Sequence, residues 1–189
     1  MLCLAVMANG KKVSQRMIFK GTPFIPPAKP GKGRHVFRRA GENARECTLW
    51  ISESWKLRPN NGSIIKQRPS IFTLDDFKCH RDKDFIADLK RRTNTIVIFI
   101  PDGLTPLILP LDRMLNKQMK RLMRGKYTTY IASAIANYKT GKLKPPRREA
   151  VSTCCNESWT AITPETVRTC FKICSLTLAL DGSEDHAWY

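Results

Sequence analysis

Two short apolar runs bracketing one amphipathic segment constrain this chain most. Ile71-Phe72-Thr73-Leu74 and Ile96-Val97-Ile98-Phe99-Ile100 have the length and the β-branched, aromatic content of strands. Between them, residues 82 to 92 place Phe85, Ile86 and Leu89 on one face of a helix. A strand, a helix and a strand this close together form a βαβ unit, whose crossover makes the two strands parallel. Both runs are almost wholly apolar, the pattern of interior strands covered on both faces. The class is therefore α/β.

The flanking segments fit that class. Leu2 to Met7 reads as a strand, Gly10-Lys11-Lys12 as a turn, and Arg16-Met17-Ile18-Phe19-Lys20 as the return strand of a hairpin. A loop rich in Pro and Gly follows from Gly21 to Gly33, then a short strand at His35-Val36-Phe37-Arg38. Ala44, Leu49, Trp50, Ile51 and Trp55 predict a helix over about 42–58, ended by Pro59-Asn60-Asn61-Gly62. After the βαβ unit comes a long helix from about Leu111 to Ser133, with Leu115, Met119, Leu122 and Met123 on its inner face. Lys139 to Arg148 is a linker by its Pro, Gly and charge. Two helices follow it, the second opened by Thr163-Pro164-Glu165: a hydroxyl cap, a proline in the first turn and an acid beside it.

Two acids carry the chemistry. Asp75 ends the first apolar run, and Asp112 lies beyond the second, each where a strand or its loop passes into a helix. Enzymes that cut phosphodiesters with two metals need about three acidic groups around a pair of hard cations. The third is missing from the front of this chain: no Asp or Glu occurs from Met1 to Gly41, and the first acid is Glu42. Each Asp also has a structural use. Asp112 complements a helix N-terminal dipole, and Asp76 or Asp82 serves equally well as a turn residue or cap. His80 reads as packing or a local hydrogen bond.

Charge points to the partner. Lys and Arg number 33 against 16 Asp and Glu, a net charge of +17, which favours a polyanion and, among polyanions, nucleic acid. Lys117, Lys120, Arg121 and Arg124 recur at helical spacing as a basic stripe, and Lys142, Lys144, Arg147 and Arg148 add charge in the linker. The seven cysteines are irregularly spaced and include no Cys-x-x-Cys, so buried free thiols are expected rather than a zinc site or disulfide framework. No apolar run is long enough to cross a membrane.

Three blocks carry a family resemblance. Leu74-Asp75-Asp76-Phe77-Lys78-Cys79-His80 is one. Ile100-Pro101-Asp102-Gly103-Leu104-Thr105-Pro106-Leu107-Ile108-Leu109-Pro110-Leu111-Asp112, with Asn116-Lys117, is the second. The tail from Pro164 to Trp188, with Leu180-Asp181-Gly182-Ser183-Glu184-Asp185, is the third. In this order they resemble the blocks of pogo/Tigger-type DDE transposases, a group that includes centromere-protein-B-like and other pogo-derived nuclear proteins. Departures from the pattern are Asp102 for a Gly, Leu109 for a Gln, and Gln118-Met119 for Pro-Phe.

The resemblance implies a ribonuclease-H-like core, a mixed sheet flanked by helices, with a helical C-terminal extension. Residues 1–138 would be a partial core, 139–148 a basic linker and 149–189 the extension. It implies Asp75 and Asp112 as the second and third carboxylates of a Mg²⁺-dependent endonuclease that acts on DNA. The family's first Asp is expected on the strand before Leu2 to Met7, and its helix-turn-helix domains upstream, so that this chain starts after both. DNA binding in the nucleus without cleavage is then the expected function, with nuclear proteins as further partners. The alternatives are an active endonuclease completed by another acid, and a remnant without function. Loss of the first strand would also expose the edge of the Leu2 to Met7 strand to aggregation or partner pairing. It would leave the helices from about Pro146 the part least dependent on the sheet.

Overall fold

The computed structural model describes residues 2–20, 34–38, 44–58, 69–136 and 145–185. Among them are five strands and six helices, a mixed α/β architecture with small sheets. β1 (Leu2–Cys3) pairs antiparallel with β2 (Arg16–Lys20), and β3 (Arg34–Arg38) runs parallel to β2. A second, separate pair is parallel: β4 (Ser70–Asp75) and β5 (Thr95–Ile100), with Asp75 opposite Ile100. The connection between β4 and β5 is α2 (Lys83–Thr93), so the expected βαβ unit is present.

The hairpin is less regular than its sequence suggests. Leu2 faces Met17 and Cys3 faces Arg16, but further along Val6 bridges Lys12. The return strand therefore holds one extra residue, a bulge that bends it and increases its twist. Gly10 closes the turn at φ +89°, and a Cβ there would lie 2.7 Å from both the Pro164 carbonyl oxygen and an Arg168 guanidinium nitrogen. The turn thus needs glycine for its backbone and for its close approach to a distant helix.

α2 shows how local chemistry sets an element's limits. The Asp82 carboxylate caps it by accepting from the Phe85 N–H at 2.9 Å, and Asn94 ends it in the left-handed region at φ 47°. Phe85 and Leu89 are buried. They meet Trp50 from α1 (Ala44–Trp50), Ile51 and Trp55 from the π-helical turn Ile51–Trp55 that continues it, and Ala5 and Val13 from the hairpin. Trp50, Trp55 and Phe72 stack with centroids 4.6–5.7 Å apart, joining the turn to β4.

The strands β4 and β5 are not covered on both faces among the described residues, contrary to the reading of their sequence. Ile71, Ile96 and Ile98 are 65, 50 and 44% exposed. The crossover helix and α1 pack on the same side, against Phe72, Leu74 and Val97, and leave the isoleucine face open.

Beyond β5 come the single turn α3 (Thr105–Ile108), a π-helical turn at Leu111–Leu115 and α4 (Asn116–Ala136). The sequence suggested one helix here. The last two helices are α5 (Arg148–Ala161) and α6 (Pro164–Ile173), the latter capped by the Thr163 hydroxyl accepting from the Thr166 N–H. Residues 139–144 of the expected linker and the turn at 59–62 lie outside the described residues.

The C-terminal helices are not set apart from the hairpin. Trp159, Ile162, Val167 and Cys170 share one buried cluster with Met17 of β2 and with Leu115 and Met119, and Leu2, Leu4 and Val6 pack on it. Lys12 reaches the end of α5, donating to the carbonyls of Trp159, Thr160 and Ile162. The cation satisfies carbonyls that the helix cannot bond itself. The cysteines fall as expected: all seven are free, and Cys47, Cys155, Cys170 and Cys174 are buried.

Two outcomes follow from this packing. Met17→Ala is expected to cost about 2–5 kcal/mol and to lower hydrogen-exchange protection in α5 and α6 as well as in the hairpin. Unchanged protection in α5 and α6 would show that they fold without it. Glu46→Ala, which removes the fully buried partner of the Arg16 guanidinium, is expected to cost about 3–5 kcal/mol in urea denaturation. Adding Arg16→Met to it should restore part of that loss.

Candidate functional site

Asp75 and Asp112 line one cavity, Asp75 from the end of a strand and Asp112 from the start of a helix. Asp75 is the last residue of β4, where the parallel pair gives way to loop. Asp112 lies in the π-helical turn Leu111–Leu115 that leads into α4. Both line one cavity of about 390 Å³, together with His80 and Asn116. This is the position where α/β sheets usually hold their chemistry, beyond the carboxyl ends of the strands.

Each carboxylate is oriented by a neighbour on its own segment. His80 Nδ1 lies 2.5 Å from Asp75 Oδ1, and its ring meets Phe77 edge-on and packs beside Phe85. The bond fixes the direction of Asp75, and the hydrophobic contacts fix the imidazole. Asn116 donates to Asp112 at 2.9 Å, one helical turn further on. His80 was read from sequence as packing or a local hydrogen bond, and it makes both. Asn116 was quoted within a block but given no task. Its spacing of four from Asp112 on a helix was the available signal.

The remaining acids of this region are turned elsewhere. Asp76 is bound by the Arg81 guanidinium, whose own pKa is raised by that hydrogen bond and charge. Asp82 is the cap of α2, and Asp102 is exposed in the loop after β5. Leu109, at the position where a glutamine was expected from the resemblance, is buried and lines the cavity. Among the described residues, no group of three or more His, Cys, Asp or Glu is placed to hold a metal ion.

The basic stripe is exposed. Lys117, Lys120, Arg121 and Arg124 all lie on the solvent side of α4, while Leu115 and Met119 are buried. Lys117 follows Asp112 by five residues on a continuous helical path, and none of the four stripe residues lines the cavity. Arg147 and Arg148 are exposed at the start of α5, where Arg148 donates to the Lys20 carbonyl at 3.0 Å. Lys142 and Lys144 lie outside the described residues.

The rest of the cavity was not legible in the sequence. Its walls include Trp50, Trp55 and Phe72, which read only as core residues, and the whole run from Leu2 to Ala8.

The chain is 28% identical over 188 residues to the mouse and human proteins described as pogo transposable element with KRAB domain. That alignment covers 98% of this chain and 30% of each relative, so the chain spans under a third of their length. No solved structure matches it. The family profile described as DDE superfamily endonuclease matches residues 1–171, and the chain belongs to that family.

Proposed function

We propose that this domain binds DNA through its phosphates and, as the chain stands, does not cut it. The observation that carries the reading is the exposed row Lys117, Lys120, Arg121 and Arg124 on one face of α4. Four cations on one rigid helix, in a chain of net charge +17, suit a regularly spaced polyanion. Arg147 and Arg148, exposed at the start of α5, add positive charge in this reading, and Lys142 and Lys144 add to it by sequence alone. In this reading the contacts go to phosphate and carry no base preference.

The finer architecture we assign is ribonuclease-H-like. The antiparallel hairpin, the parallel β4–α2–β5 unit and the helices packed on it support that assignment. Within it, we assign residues 1–138 to the core, 139–148 to a basic linker and 149–189 to a helical extension whose α5 and α6 pack into the same apolar cluster as the hairpin. A nuclear location, with nuclear proteins as further partners, accords with a DNA-binding role.

DDE endonucleases as a class use divalent metal ions, and Asp75 and Asp112 are the hard oxygen donors suited to Mg²⁺. The donor set falls short, however. Among the described residues, two carboxylates, one engaged by His80 and one by Asn116, leave a single ion mostly hydrated and give a second ion no ligands. We therefore derive no cleavage step. The second reading is an active endonuclease in which a further acid joins the pair, favoured by the meeting of Asp75 and Asp112 in one cavity.

The two readings separate experimentally. Supercoiled plasmid incubated with the purified chain and Mg²⁺ or Mn²⁺ is expected to remain intact. Nicking abolished by both Asp75→Asn and Asp112→Asn would establish the endonuclease instead. For binding, contact with about five phosphates predicts a slope of log K against log salt near −4 to −5 on duplexes of unrelated sequence, less steep by about one for each Lys or Arg removed. Absence of binding at low salt would refute the DNA-binding reading.

A further inference from the structure

The cations of α4 are left without counter-charge. No Asp or Glu occurs from Arg113 to Arg148, so the helix holds no acid of its own to pair with them. Among the described residues, Lys117, Lys120, Arg121 and Arg124 have no acidic partner on another element either. Lys126 gives the contrast: it lies off the row, and Glu157 of α5 holds it at 2.5 Å.

The row ends in an aromatic ring. Tyr127 stands at i+7 from Lys120 and i+3 from Arg124, the spacing that keeps side chains on one helical face. It is 51% exposed and belongs to neither buried cluster. Among the described residues the exposed ring of Phe77 packs edge-on against His80, whereas Tyr127 has no ring or hydrogen-bond partner. Its neighbour Thr128 turns its hydroxyl back to the Arg124 carbonyl at 3.0 Å. The core therefore does not account for an exposed aromatic here. From Lys117 to Tyr127 the helix rises about 15 Å, a rigid line of cations closed by a flat apolar surface.

Resting on the DNA-binding reading above, we propose that this face of α4 is a platform for an unpaired DNA strand, with Lys117, Lys120, Arg121 and Arg124 on its phosphates and the ring of Tyr127 stacked on one base. A phosphate contact needs only charge, and the four cations supply it to duplex and single strand alike. The ring distinguishes the two. In a duplex the base faces are stacked on one another and only their edges reach the grooves. In a single strand a base can turn out onto the ring while the cations hold the phosphates beside it. Every base has such a face, so the contact selects an unpaired strand without selecting a sequence.

The test measures the affinity of the full chain for a labelled oligothymidylate and for a mixed-sequence duplex of the same length, at one low salt concentration. The ratio of single-strand to duplex affinity is expected to fall about tenfold in Tyr127→Ala, to fall as far in Tyr127→Leu, and to be kept in Tyr127→Phe, which retains the ring. Oligothymidylate carrying one iododeoxyuridine is expected to photocrosslink at Tyr127. A ratio unchanged in Tyr127→Ala would overturn the proposal. So would a ratio kept in Tyr127→Leu, which would show apolar contact without stacking. Either result beside normal, salt-sensitive duplex binding would refute the stack and leave the DNA-binding reading standing. Failure of the unaltered chain to bind either DNA would refute both.

Discussion

The buried guanidinium of Arg16 is the interaction on which the rest of this structure depends. It lies at the start of β2 at 1% exposure and is held by Glu46 at 2.6 Å and Glu53 at 2.7 Å. A charge in that position is tolerable only when opposite charges meet it in good geometry. Glu46 comes from α1 and Glu53 from the π-helical turn that continues it, so both must pack against the hairpin in one orientation. That orientation faces Trp50 and Trp55 toward Phe72, and the aromatic stack carries it to β4. Trp55 then donates to the Thr95 hydroxyl at 3.1 Å, reaching β5. Asp75, at the end of β4, inherits its position from this chain of contacts.

A second anchor works from the other side of the hairpin. Lys12 binds the carbonyls at the end of α5, the Gly10 turn lies against the start of α6, and Arg168 donates to the Asn9 carbonyl. Cys170 donates to the Pro110 carbonyl, which ties α6 to the segment that presents Asp112. The hairpin is thus the middle layer between two apolar clusters, one shared with the βαβ unit and one with α4 to α6. The two acids approach one cavity because each cluster fixes one of them.

Much of the site was legible because its residues sit at element boundaries. Asp75 closes an apolar run and Asp112 opens a helix, positions that strand and helix patterning identify without tertiary information. The cationic face of α4 followed from spacing, since Leu115 and Met119 had to be inward and Lys117, Lys120, Arg121 and Arg124 therefore outward. His80 and Asn116 were harder, because their partners are set by side-chain directions that only the folded loop and helix define. The exposure of Ile71, Ile96 and Ile98 ran against their sequence: apolar composition reports that a strand can be covered on both faces, whereas coverage depends on which side the crossover helix and α1 occupy.

The sequence by itself determined the elements, the βαβ unit, the capping of α2 and α6, the basic surface and the family, because each rests on local periodicity, end chemistry or short conserved-looking blocks of residues. Tertiary structure decided three things that no local pattern contains. It placed the C-terminal helices in one core with the hairpin, since Trp159 and Ile162 meet Met17 across more than a hundred residues of chain. It brought Asp75 and Asp112 to a shared cavity. It also left Ile71, Ile96 and Ile98 exposed on one face of the β4–β5 pair. The physical reason is common to all three: burial and hydrogen bonding between distant segments depend on where each segment lies in space, and the residues of one segment do not encode the position of another.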